Sequence, residues 1–459
     1  MNENDLGRAR ATAAEARAVA GQKAARAQEA KAHAVAKRLA ADRGHRGEPL
    51  DERGASAEMV ARRRWPKLAE AMDSFELVGA PWPENGPRVR VHACMTGGQA
   101  WPLIAFDSMA IVDLSQPDHP QLSELRERMD AGGGTTTTIP QSEGVAEIQL
   151  WRVPGLSLAE VVAMAEQPNN AVYPNLMYFP RSGSFVFHPD TKPTELAGPG
   201  PLPQQLSVPA SGPKRVLTVD TGSVEGSFQS VSVGGNDPYP YSEAVHGHGP
   251  AISDLIGRLL STDGDTSRLL GIDHSAGAMK QPMFNQALNV RGFDLAALMG
   301  TLARVDDLDP DVLNFSFGTL QCPNMAGEAD PLFRWLKHRG NMMVAAAAGN
   351  HGEVPDMADV PSWPAAYARQ GNPDIELDNV VSVGSRVEHG GKAMSTFSGK
   401  GATVVAYAQG ENVNVSRPGS GQKNGSYASW QGTSFATPQV AADLACGLTK
   451  QNVIDKYRI

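Results

Sequence analysis

The stretch RVLTVD, residues 215–220, is apolar at Val216, Leu217 and Val219 and ends on the carboxylate of Asp220. Four similar runs follow: SRLLGID (267–273), DVLNFSF (311–317), NMMVAAAA (341–348) and NVVSVGS (379–385). A strand with one wet face alternates apolar and polar side chains, whereas a continuous apolar run suits a parallel strand covered on both faces. Between the runs lie segments with helical spacing of apolar residues: ISDLIGRLL (252–260), FDLAALMGTLARV (293–305) and DPLFRWLKHRG (330–340). Strands that alternate with helices in this way predict an α/β fold, a doubly wound and mostly parallel sheet, over residues 214–459.

Upstream the pattern changes. Residues 189–213 carry seven prolines, with Gly198 and Gly200 between them, and read as a linker. Before it, residues 75–188 predict a small α+β unit. SMAIVDLS (108–115), VAEIQLWRVP (145–154) and AVYPNLMYF (171–179) read as strands; HPQLSELRERMDA (119–131) and SLAEVVAMAEQ (157–167) read as helices. Ser157 followed by Glu160 makes a capping box at the start of the second helix. The run GGGTTTT (132–138) is a flexible turn; no Lys-Ser or Lys-Thr follows it, as a phosphate loop requires. If the threonines pair, the order is β-α-β-β-α-β. Residues 75–106, rich in Pro and Trp, fit neither periodicity. Residues 1–74 form an Ala/Arg-rich helical segment: residues 1–50 hold sixteen alanines and no Leu/Ile/Val stripe, so such a helix has little to bury.

The chain has 459 residues and a net charge of −9, with 41% hydrophobic and 20% charged residues. That composition supports a sizeable core and two or three domains. The acidic balance argues against nucleic acid as a partner, since phosphate binding needs a basic face. No apolar run is long enough for a membrane span, and the first residues lack the apolar core of a secretory signal. The expected location is therefore cytoplasmic, with non-standard export left open. Three cysteines, Cys94, Cys322 and Cys446, stand far apart; an odd count predicts no disulfide framework and fits a reducing compartment. No Cys-x-x-Cys pair suggests a zinc site.

Four short segments carry chemistry. Asp220, in VDTG, sits at a strand C-terminus, where open α/β sheets place their sites; a turn-capping Asp is the plainer alternative. HGHG brings His246 and His248 just before a helix. His248 at a helix N-terminus would be held neutral and suit a base, while loop histidines or a zinc pair are the alternatives. AAAAGNHG contains Asn350, whose amide can donate to an oxyanion or merely shape a turn. GTSFATPQVAADLA (432–445) puts Ser434 at a helix N-terminus, where unpaired N–H groups bind anions; a simple Thr-Ser cap is the alternative. Pro438 falls in the first turn or so of that helix, where proline removes little hydrogen bonding.

VDTG, GHG (247–249), AAGN (347–350) and GTSFATP (432–438) together are highly specific. From about residue 214 to 450 the chain resembles the subtilisin-like serine peptidases, the subtilases, whose catalytic residues come in the order Asp, His, Ser. The resemblance implies a serine endopeptidase with Asp220, His248 and Ser434 as its triad and Asn350 in the oxyanion hole. NFSFG (314–318) resembles the strand that pairs with the substrate backbone, so Ser316, Phe317 and Gly318 would bind a polypeptide substrate, with Ala348 and Gly349 along the cleft. The chemistry implied needs no cofactor. Structural calcium is common in the family, but no ligands are identified, and GDTS (264–267) is only a turn candidate. Residues 108–180 resemble the α+β prodomain that many subtilases carry, which implies an intramolecular inhibitor. One departure stands out: the His motif continues as GPAISD (249–254), with Pro250 and Ala251 where the family has Thr and a second His. It keeps a second reading open, a catalytically silent binding module on the same fold; the long linker and the lack of a secretory signal motivate a third, a latent protease released by a regulator.

Overall fold

The computed structural model describes residues 56–73, 75–76, 88–96, 99–167, 169–180, 194–196, 202–204, 206–207, 213–220, 229–232, 248–260, 269–273, 277–280, 289–354, 356–368, 373–416 and 427–459. The alanine-rich stretch up to residue 55, His246 and the GDTS turn candidate lie outside them.

Ser56 caps α1 (Ala57–Arg64) by accepting from Met59 N, and α2 (Pro66–Asp73) follows. After β1 (Phe75–Glu76), β2 (Val89–Thr96) and β3 (Gln99–Asp113) pair as an antiparallel hairpin. This hairpin fills the stretch that the sequence left untyped. Alternation is present in VRVHACMT, but β3 carries Pro102 and runs for 15 residues, and its register against β6 shifts between Ala105 and Ala110, where Ser108 takes a φ of 55°. That bulge hides the period of two. Then come α3 (Pro120–Gly132), β4 (Thr135–Thr138), β5 (Ile148–Arg152), α4 (Leu158–Ala165) and β6 (Val172–Pro180). The threonine run does pair, antiparallel with β5, and the Ser157–Glu160 capping box forms.

The remaining elements are β7 (Thr194–Leu196), β8 (Val216–Asp220), β9 (Gln229–Ser232), α5 (His248–Leu260), β10 (Leu269–Asp273), β11 (Gly277–Lys280), β12 (Asn289–Asp294) and α6 (Leu295–Leu308). They continue with β13 (Val312–Phe315), β14 (Phe317–Gly318), α7 (Pro331–His338), β15 (Met343–Ala347), β16 (Val380–Arg386), β17 (Ala406–Gln409), β18 (Val413–Ser416), β19 (Tyr427–Trp430), α8 (Thr433–Ala445) and α9 (Lys450–Lys456). Seven strands form one wholly parallel sheet in the order β17-β16-β15-β13-β8-β10-β9. The five continuous apolar runs supply five of them. One apolar cluster joins the sheet to α5 and α8, and a second joins it to α6 and α7. Every residue of α8 is buried, and Ala436, Ala441 and Ala442 let it press onto the strands.

The segment after α8 is well anchored. Tyr457 is buried, with its Oη 2.7 Å from both Gln204 Oε1 and Asp443 Oδ2, and Lys456 Nζ reaches Asp443 Oδ2 at 2.7 Å. Gln204 belongs to the proline-rich stretch 189–213. It donates to Gln439 O, and Leu202 and Leu206 pack beside it on the α8 cluster, so the described parts of that stretch lie against the α/β core.

The strands before and after this stretch share a second sheet, β1-β11-β12-β6-β3-β5-β4, with β2 on β3 and β14 on β6. Ser56–Ile459 accordingly forms one compact unit. The loop after β14 is the seam. Leu320 O accepts from Ile104 N at 3.2 Å, Gln321 Oε1 accepts from Tyr173 Oη at 2.5 Å, and Asn324 donates to Glu166 at 2.8 Å. Cys322 is joined here to Cys94 of β2 by a disulfide, with Cα atoms 5.8 Å apart. The cysteine expectation is thereby corrected: 228 residues separate the pair, and such proximity is created by the sheet that brings β2 over the loop, which spacing cannot reveal. Among the described residues no helix is long and apolar enough to cross a membrane.

Candidate active site

Three element ends converge on one point. Asp220 is the last residue of β8, His248 the first of α5, and Ser434 the second of α8. His248 Nδ1 lies 2.7 Å from Asp220 Oδ1, and His248 Nε2 lies 2.9 Å from Ser434 Oγ. The three are 1%, 5% and 0% exposed, so water competes weakly for these bonds. Phe435 packs its ring edge-on to the imidazole at 5.5 Å and is itself backed by Trp430 at 5.1 Å. A carboxylate on one ring nitrogen fixes the tautomer in which the other accepts the serine proton.

Asn350 follows β15 through Gly349, whose φ of 98° suits glycine. A Cβ at Gly349 would fall 2.5 Å from His351 Cε1. The Asn350 side-chain oxygen accepts from Thr433 N at 2.8 Å and from Thr433 Oγ1 at 2.9 Å. Its acceptor end is thus committed, and the amide N–H₂ is the end able to serve an oxyanion. The sequence marks Thr433 only as part of a Thr-Ser cap before Ser434, and its bonds to Asn350 appear only in the folded chain.

The other expected residues divide. Ser316 stands between β13 and β14 and touches the nucleophile's own peptide, its Oγ donating to Ser434 O at 2.9 Å. Phe317 and Gly318 form β14, and its edge is occupied by this same chain: Phe317 pairs with Pro180 and Gly318 with Phe179, antiparallel. On its other side, β6 pairs Tyr178 with Phe293. The Tyr178 ring stacks on Phe293 at 5.8 Å and meets Phe317 edge-on at 5.7 Å. Ala348 and Gly349 have their main-chain groups engaged inward, Ala348 N with Val383 O and Gly349 O with Gly399 N, so they hold the Asn350 loop in place. Among the described residues no group of three or more His, Cys, Asp or Glu gathers as a metal site.

Comparison with known proteins agrees with this arrangement. The subtilase family, peptidase S8, matches residues 183–457. Subtilisin BL of Lederbergia lenta is 30% identical over 216 residues, which is 46% of this chain and 66% of that protein. An alkaline protease of Shouchella clausii is likewise 30% identical over 216 residues, covering 47% of its length. An intracellular serine protease of Paenibacillus polymyxa is 35% identical over 104 residues, 23% of this chain and 27% of the relative. The chain thus spans about two thirds of the first of these relatives and about half of the second. Motifs in the order Asp, His, Ser, a parallel sheet that unites them and a match over most of the chain have one common account: the chain belongs to the subtilase family.

Proposed function

We propose that the chain is a serine endopeptidase that hydrolyses peptide bonds through an acyl-enzyme on Ser434. The observation that carries this reading is the hydrogen-bonded line Asp220–His248–Ser434, at 2.7 and 2.9 Å. Ser434 Oγ attacks the substrate carbonyl while His248 Nε2 takes its proton. His248 then gives that proton to the leaving amine, and water repeats the cycle on the ester. Asp220 keeps the imidazole oriented and stabilises its cation. Asn350 and the Ser434 backbone N–H receive the oxyanion at the N-terminus of α8. A fluorophosphonate probe tests the reading. Covalent labelling of Ser434, absent in Ser434→Ala, is the expected result; a serine that stays unlabelled even after cleavage within residues 189–213 would favour a silent binding module instead.

The α+β region before residue 189 acts in this reading as an intramolecular inhibitor. Residues 178–180 of β6 lie between β12 and β14 and pair with Phe317 and Gly318, the two residues expected to pair with a substrate backbone. A polypeptide substrate needs the same strand edge, so the two compete by β-augmentation.

A further inference from the structure

Helix α8 contains a gap beside the nucleophile. In an α-helix the N–H of residue i+4 donates to the carbonyl of residue i. For Ser434 that residue is Pro438, which has no N–H. The carbonyl of Ser434 therefore lacks its helical donor. It is not left bare in the buried core, because Ser316 Oγ donates to it at 2.9 Å from the neighbouring strand connection. Ser316 Oγ in turn accepts from Asn314 Nδ2 at 2.9 Å, which leaves the hydroxyl proton aimed at Ser434. Asn314, Ser316 and Ser434 are all fully buried, so no water substitutes in this line.

We infer that Ser316 is a positioning residue for the nucleophile: its hydroxyl stands in for the missing amide of Pro438 and fixes the peptide plane of Ser434. The inference rests on the peptidase reading and goes beyond it, because it gives the Ser316 side chain a task separate from any contact with substrate. The physical consequence concerns alignment. Rotation of that peptide moves Ser434 Oγ relative to His248 and turns the main chain that carries the oxyanion N–H. Small misplacements of reacting groups lower turnover sharply while leaving substrate affinity intact.

The test uses the full chain and the helix's own chemistry. Ser316→Ala is expected to lower kcat about tenfold and leave KM within about twofold, the scale of one buried hydrogen bond. Pro438→Ala restores an N–H at the i+4 position in a residue with high helix propensity. In the double variant, that N–H is expected to recover most of the lost kcat. The NMR shift of the Ser434 carbonyl is expected to move in Ser316→Ala and return in the double variant. A general loss of packing around Ser316 would not be repaired by an amide supplied from the next turn of α8. Unchanged kcat in Ser316→Ala, or a loss that Pro438→Ala fails to repair, would overturn the inference. Should the chain turn over no substrate even when the β6–β14 pairing is relieved, the peptidase reading fails; an unmoved Ser434 carbonyl shift would then sink the Ser316 contact as well.

Discussion

Thr433 holds Asn350 by two hydrogen bonds to a single oxygen, 2.8 Å from its backbone N and 2.9 Å from its hydroxyl. Thr433 therefore orients the Asn350 amide, and on the proposed mechanism α8 would carry both the attacking group and the clamp on its oxyanion partner. Nucleophile and oxyanion donor are consequently expected to fail by different amounts.

Ser434→Ala removes the covalent step and should lower kcat by about 10⁶, the scale known for subtilisin. Asn350→Ala removes one oxyanion donor and should cost about 10²–10³ in kcat, or roughly 3–4 kcal/mol. Steady-state kinetics on one peptide substrate checks both. Equal losses in the two variants would contradict the role given to Asn350.

Tyr178 is buried, with its ring against Phe293 and Phe317, and is the aromatic anchor of β6 at that contact. Tyr178→Ala forfeits about 3–5 kcal/mol of burial and packing at that contact. Peptidase activity of the full chain should rise, measured as the initial rate before any chain cleavage. A variant that folds and shows no gain would show that β6 does not limit access to Ser434.

The Cys94–Cys322 bond closes a loop of 228 residues across the seam between β2 and the loop after β14. A non-reducing peptide map should recover the two cysteine-bearing peptides as one species. Reduction with a dithiol should destabilise the chain by about 2–4 kcal/mol, seen as a lower urea midpoint. Cys94→Ser should show the lower midpoint already and be indifferent to the reductant. Separate, alkylatable thiols in the untreated protein would refute the pairing.

His92 lies in β2 with 8% of its surface exposed, and burial pushes its pKa from 6.5 down to about 4, partly opposed by Glu58. The folded state therefore takes up this proton later than the unfolded chain does. Stability from this group is complete above pH 6.5 and is lost as pH falls from 6.5 to about 4, where the loss levels off. At about 1.4 kcal/mol per pH unit the full effect is on the order of 3 kcal/mol. Urea midpoints of wild type and His92→Leu, compared at neutral pH and near pH 4.5, provide the check. An equally steep acid loss in His92→Leu would assign the dependence to other groups.

Much of the molecule was written locally. The apolar runs at Val216–Val219 and Val344–Ala347 marked buried parallel strands because every side chain in them is covered, and Ser157 with Glu160 marked a helix start because a cap needs only neighbours. The four motifs, taken together and in order, named the residues of the candidate site through a family resemblance, whereas each segment alone left a plain structural alternative open. Long-range pairing was decided by the tertiary structure. Only the parallel sheet brings Asp220, His248 and Ser434 within 2.9 Å across separations of 28 and 186 residues. Only the shared second sheet lays Tyr178–Pro180 along Phe317–Gly318 and sets Cys94 against Cys322. The first half of β3, before Ser108, escaped detection for the related reason that the bulge at Ser108 is stabilised by Leu156 O and Val153 N, partners over 40 residues downstream. Periodicity records which face of a segment is covered, whereas the identity of what covers it depends on chain closure over distances that no local pattern encodes.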